Sequence, residues 1–157
     1  MKVLKYWNSD EVGANSLFEL NKEKKTITLG LESIKDFSNI SPTKKYEFFE
    51  GLWEYDVVET FISLEGKNYL EINLSTTGAW WAATFNDHRK RDNKKPKVEL
   101  IDVEISANKV VGNFSYQDLE LKNEFNVCAI INNKFLSLNS VDKKVDFHLR
   151  ELRSTEK

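Results

Sequence analysis

Hydrophobic and polar positions along this chain alternate mostly with period two, the signature of half-buried strands. In 25–31, Ile27, Leu29 and Leu31 alternate with Thr26, Thr28 and Gly30, and pair as a hairpin with 17–21 across the polar turn N-K-E-K. A second hairpin is predicted from 57–64 and 69–75 around E-G-K-N. A strand over 79–85 follows a T-T-G turn. The run 98–106 alternates Leu100, Asp102 and Glu104 against Ile101, Val103 and Ile105, and 110–116 returns after A-N-K. A last pair, 125–131 and 135–138, closes across N-N-K. Eight to ten short strands at this spacing predict an all-β antiparallel sandwich. Only 141–152 suggests a short C-terminal helix. The irregular stretches 33–55 and 86–97 are long connections, and such loops are often functional.

The faces of the central strands can be read from the alternation. Leu70, Ile72 and Leu74 point one way, and Tyr69, Glu71, Asn73 and Ser75 the other. Pairing Val58 with Leu74 and Ile62 with Leu70 makes a uniform core face. It sets Glu59 across from Asn73, and Phe61 across from Glu71. A slip of one residue would push Glu59 into the core. Strands do not need Asp56, Glu59, Glu71 or Asn73 to form, since such side chains are depleted there. Their clustering predicts either a solvated outer face or a ligand site. Two neighbouring carboxylates repel, so a cation or an arginine must offset them, and Arg89 is the nearest basic residue in the sequence. Trp80 and Trp81 fall on opposite faces of their strand, one toward the core and one outward, with the choice open. Trp53 precedes the carboxylate strands in a loop and reads either as a core residue or, if exposed, as a platform for a sugar ring.

Length and composition narrow the picture. The 157 residues fit one domain, 1–157, long enough for a core without staples. The net charge of −2 marks no general nucleic-acid binder. The single cysteine, Cys128, sits in V-C-A-I-I and reads as a small buried hydrophobe. No Cys/His spacing of metal-site type occurs. The N-terminus lacks the apolar stretch of a signal peptide, and no run approaches the ~18 residues of a membrane helix, so a soluble cytoplasmic protein is expected. The segment R-K-R-D-N-K-K-P-K, 89–97, carries six basic residues. It reads as a solvated loop or as a patch for phosphate or an acidic polymer.

The blocks G-L-W-E-Y-D-V-V-E-T-F-I, Y-L-E-I-N-L-S and G-A-W-W-A-A-T-F, with a closing arginine, resemble the DOMON-like superfamily. That group includes family nine carbohydrate-binding modules and small bacterial stand-alone members. V-D-F-H-L is similar to the P-D-F-H ending of those members. The resemblance covers about a third of the chain. It implies an Ig-like or jelly-roll sandwich with non-catalytic binding of a sugar or, in other branches, haem. Its matching positions are Trp53, Glu59, Glu71, Asn73, Gly78, Trp80, Arg89, Asp146 and His148. His88 stands where a tyrosine is expected, and Val145 where a proline is expected.

The expected function is carbohydrate or polar-ligand binding through Trp53, Glu59, Glu71, Asn73, Trp80, Trp81 and Arg89, with no catalytic residue and no cofactor. Aromatic platforms together with groups that grip hydroxyls are the chemistry a sugar requires. Two other classes use the same residues or the same sheet. A glycoside-acting enzyme would employ the Glu59 and Glu71 carboxyls, and a protein-interaction domain would use a sheet edge or the basic loop. Asp56, Glu59, Glu71 and Asn73 are also hard oxygen donors of the type calcium takes, although calcium needs six or more. Haem would draw its axial ligand from Met1, His88 or His148.

Overall fold

The computed structural model describes residues 2–6, 12–141 and 144–155, with the backbone alone at positions 2, 5, 6, 12, 154 and 155. The strands are β1 (Lys2–Tyr6), β2 (Val12–Asn21), β3 (Thr26–Ser33), β4 (Val57–Ser63), β5 (Tyr69–Ser75), β6 (Trp80–Asp87) and β7 (Lys90–Arg91). They continue with β8 (Val98–Ile105), β9 (Lys109–Tyr116), β10 (Glu124–Ile131), β11 (Lys134–Ser137) and β12 (Ser154–Thr155). They hydrogen-bond in the order β7-β6-β5-β4-β10-β11-β1-β2-β3-β9-β8, with β12 on β10. Every strand pairing is antiparallel.

The β11–β1 link consists of two residue pairs, Lys5↔Ser137 and Tyr6↔Leu136. There the ribbon turns over, and its two halves stack as the sheets of a sandwich. The main core lies between them. Val58, Ile62, Leu70, Ile72 and Leu74 from β4 and β5 meet Ile27, Leu29, Val110 and Phe114 from β3 and β9. The β4–β5 register is the one the alternation predicts, with Glu59 across from Asn73 and Phe61 across from Glu71.

A second apolar layer covers the outer face of the β4–β5–β6–β10 sheet. It contains Leu52, Phe61, Tyr69, Trp81, Phe85, Cys128 and Phe147. Two coils supply the cover. In the first, Phe49 N–H donates to the Trp80 carbonyl (3.0 Å) and Trp80 N–H to that of Glu47 (2.9 Å), which lays the coil along β6. A 3-10 turn at Leu52–Glu54 then buries Leu52 and raises Trp53. The second coil is the C-terminal strap at 144–149. Its expected helix is absent: among the described residues the C-terminal segment has only a 3-10 turn, Arg150–Leu152. The strap instead lies stretched over the sheet, inserting Phe147 and His148.

β8 also departs from simple alternation. A bulge between Leu100 and Asp102 resets the faces, so Val98 and Val103 are buried while Ile101 and Ile105 stay exposed. β1, the first half of β2, β7 and β12 are strands beyond those the pattern predicts. No helix of the described residues is long and apolar enough to cross a membrane.

Candidate ligand-binding site

Because β4 and β5 are covered on both faces, all fourteen of their residues are buried. The outward row therefore does not face solvent. Glu59 and Glu71 are each only 4% exposed, and Asn73 is fully buried. They form part of a cross-strand grid. One row runs Cys128, Glu59, Asn73, Trp81, and the next runs Asn126, Phe61, Glu71, Ala83. Above the grid opens a cavity of about 820 Å³. Glu59, Glu71, Phe61, Phe85 and Trp81 line it from the sheet. Trp53, Phe147 and His148 line it from the covering segments and Phe135 from β11, and Glu50, Arg89, Arg91 and Lys144 bring the charges.

The two carboxyls are hydrogen-bonded to each other. Burial pushes the Glu59 carboxyl up to about 7, while its bond from Glu71 and the charge of Arg89 act the other way. Burial raises Glu71 further, and the neighbouring Glu59 charge adds to it. The pair thus holds a proton near neutral pH, shared between the two carboxyls. The Asn73 amide nitrogen, in the orientation its surroundings require, donates to Glu59 Oε2 (3.3 Å) and Glu71 Oε1 (3.1 Å). Asn73 therefore sits under the floor and holds both acids together.

His148 completes this corner. Its Nδ1 lies 2.6 Å from the Tyr69 hydroxyl, which accepts from the Arg89 backbone N–H at 3.1 Å. Tyr69 donates to Nδ1, which leaves the imidazole proton on Nε2. That nitrogen is 3.7 Å from Glu71 Oε2, beyond hydrogen-bond length. Burial, with the Arg89 charge second, lowers His148 to about 4, so the ring is neutral. Burial likewise raises Tyr69 to about 12 and keeps the phenol protonated.

Two arginines of the rim are paired. Asp146 accepts from Arg89 Nη2 (2.8 Å) and Nε (3.2 Å), from His88 Nε2 (2.7 Å) and from the His148 backbone N–H (3.0 Å). This clasp fastens the strap to the β6–β7 turn. Arg91 pairs with Glu50, and its guanidinium lies 5.0 Å above the Trp81 ring. Trp53 meets Trp81 edge-on at 6.0 Å and is 43% exposed at the mouth. Trp81 is buried, and its indole N–H has no hydrogen-bond partner among the described residues.

Of the residues expected at a site, Trp53, Glu59, Glu71, Trp81 and Arg89 surround one cavity, with Asn73 directly beneath. Trp80 does not join them. Its pairing with Leu74 turns it to the inner face, where it packs edge-on against Phe114 (5.9 Å) and Phe48 (4.8 Å). Arg89 reaches the carboxyls only through its field, because Asp146 holds its guanidinium. Asp56 is also elsewhere. Its carboxylate accepts backbone N–H groups of Ser38 (3.1 Å), Asn39 (3.2 Å) and Asn132 (2.8 Å), and so ties two loops together. That use separates it from the oxygen-donor set suited to calcium. His88 and His148 are held by Asp146 and Tyr69, while Met1 lies outside the described residues.

The basic stretch is tethered rather than free. Lys90 and Arg91 form β7, Lys97 pairs with Asp118, and Lys95 Nζ sits 4.0 Å from the Phe48 ring centroid. Sequence reasoning passed over Glu50, Phe85, Arg91, Phe135, Lys144 and Phe147 as lining residues. The D-F-H motif was the signal for the strap, but nothing in the order of residues shows that it folds over β4 and β5.

No protein-family model matches the chain, and no curated protein matches it. A crystal structure from Bacteroides uniformis, described provisionally as a carbohydrate-binding protein, is similar in fold with a TM-score of 0.71. The match covers 97% of this chain and 83% of that one at 12% identity. At that identity the likeness establishes the β-sandwich and nothing finer.

Proposed function

We propose that this protein binds a carbohydrate, or a related polar small ligand, in the cavity over β4, β5 and β6 without transforming it, as a DOMON-like binding domain. The observation that carries this reading is the buried Glu59–Glu71 pair at the floor of a cavity walled by Trp53 and Trp81. Buried carboxyls are costly unless hydrogen-bonded, and these two keep unused acceptor capacity facing an open volume. About 820 Å³ is the size of a small-molecule pocket. Indole faces suit the apolar C–H surface of a pyranose, and carboxyls suit its hydroxyls. The description of the similarly folded crystal structure agrees with this class of ligand.

A hydrolase would use the same two acids, and a carboxyl at about 7 resembles a general acid. The pair, however, is in hydrogen-bond contact, whereas retaining glycosidases hold their carboxyls ~5–5.5 Å apart. Binding is therefore the preferred reading, and a panel of chromogenic glycosides separates the two by turnover.

The direct test is a glycan array with the wild type, Glu71→Ala and Trp53→Ala. Both variants are expected to lose binding at least 10-fold while keeping the wild-type far-UV circular dichroism. Wild-type signals retained by both variants would remove this cavity as the site.

A further inference from the structure

The floor of the cavity limits what chemical group a ligand can present to it. The one proton between Glu59 and Glu71 is used within the pair, and Asn73 donates from below. The two carboxyls thus offer acceptors and no free donor, so a ligand atom seated on them must donate; the N–H donors beside them belong to His148 and Trp81. At the rim, Arg91 answers Glu50 and Arg89 answers Asp146, while Lys144 of the strap adds a cation to the lining without contacting the floor acids. Neither floor carboxyl is in ion-pair contact with a lysine or arginine among the described residues. Ionising both would leave an excess negative charge buried under a low-dielectric roof.

Other groups around the pair do not supply that charge. Cys128 from β10 is a buried thiol, Tyr69 from β5 is a neutral phenol, and His148 from the strap is a neutral imidazole. The Arg89 guanidinium, at the β6–β7 turn, is half exposed and already clasped. Meanwhile Phe61, Phe85 and Trp81 surround the acids with rings whose faces attract cations. The Trp81 indole N–H beside them is also unpartnered among the described residues and has no exposed surface.

We propose that the ligand carries a protonated amine, which takes the place of the proton between Glu59 and Glu71, as in an amino sugar. This rests on the saccharide reading and narrows it. In the free protein a proton neutralises half of the dyad. On binding, that proton passes to solvent and the ammonium group faces two carboxylates. An ammonium brings three donors in place of one.

Isothermal titration of the full chain at pH 7, in two buffers of different ionisation heat, tests this with glucosamine, glucose, N-acetylglucosamine and cyclohexylamine. Glucosamine is expected to bind at least 10-fold more tightly than glucose or N-acetylglucosamine and to release about one proton. Glu71→Gln, which keeps the shape but has no proton to give up, is expected to lose the release and the preference. Glucose binding as well as glucosamine with no proton release would overturn the amine inference and leave the saccharide reading standing. Cyclohexylamine binding with proton release, and no sugar binding, would support the amine and overturn the saccharide. Binding of none of the four would overturn both.

Discussion

A single proton governs the behaviour of Glu59 and Glu71, and it links stability to pH. Each carboxyl has a folded pKa above its unfolded value, so folding retains protons that the unfolded chain loses. The stability they provide is complete below pH ~4.5 and is lost as pH rises through about 7 and beyond. His148 acts oppositely. Lowered from 6.5 to about 4, it weakens the fold as pH falls through that window. The two trends offset each other between pH 4.5 and 6.5, and above 6.5 the acids act alone. Urea unfolding of the wild type should therefore show a loss of about 2 kcal/mol between pH 6.5 and 8, one retained proton over that span. Glu71→Gln should flatten this slope. An equal slope in both proteins would show that the dyad does not hold the proton.

At the scale of elements, the strap is the wall most open to experiment. One carboxylate, Asp146, joins it to His88, Arg89 and its own His148 amide. Asp146→Ala should free the strap while leaving the main core intact. We expect a modest loss of about 1–3 kcal/mol, as for charged hydrogen bonds partly open to water. Amide hydrogen exchange should rise at 146–149 and stay low in β4 and β5. Ligand affinity should fall at least 10-fold with the sandwich still folded. Uniform exchange across the chain would mean that the strap is part of the main cooperative unit.

The elements differ in how far they could be read from sequence, and the reasons are physical. The β4–β5 hairpin was legible to the residue because its core face, Val58, Ile62, Leu70 and Leu74, leaves one tolerable register. The β8 bulge was not, because Ile101 and Ile105 are as apolar as the Val103 that is buried in their place. β1 was hidden by its short, lysine-containing sequence and gains its identity from pairing with β2 and β11. The strap resembled a helix because it mixes apolar and charged residues, yet its contacts lie on a distant hairpin. The same holds for the site. Local spacing brought Glu59, Glu71 and Asn73 together, but which tryptophan faces outward depended on the exact pairing of β6 with β5.

Among the described residues, the sandwich carries a second apolar layer on only one of its outer faces. This layer explains why polar residues in the middle strands are buried rather than wet, and why the fold accommodates a cavity outside its main core. It also encloses Cys128, which lies in the row beside Glu59 and has no exposure. As the chain's single thiol, Cys128 can serve as a timer. A maleimide or disulfide reagent reaches it only when the cover lifts from the sheet, so the labelling rate counts those openings. A bound ligand should slow the reaction by the ratio in which it favours the closed form, and loosening the clasp should hasten it. Labelling indifferent to both would mean that the sulfur is reached by another route.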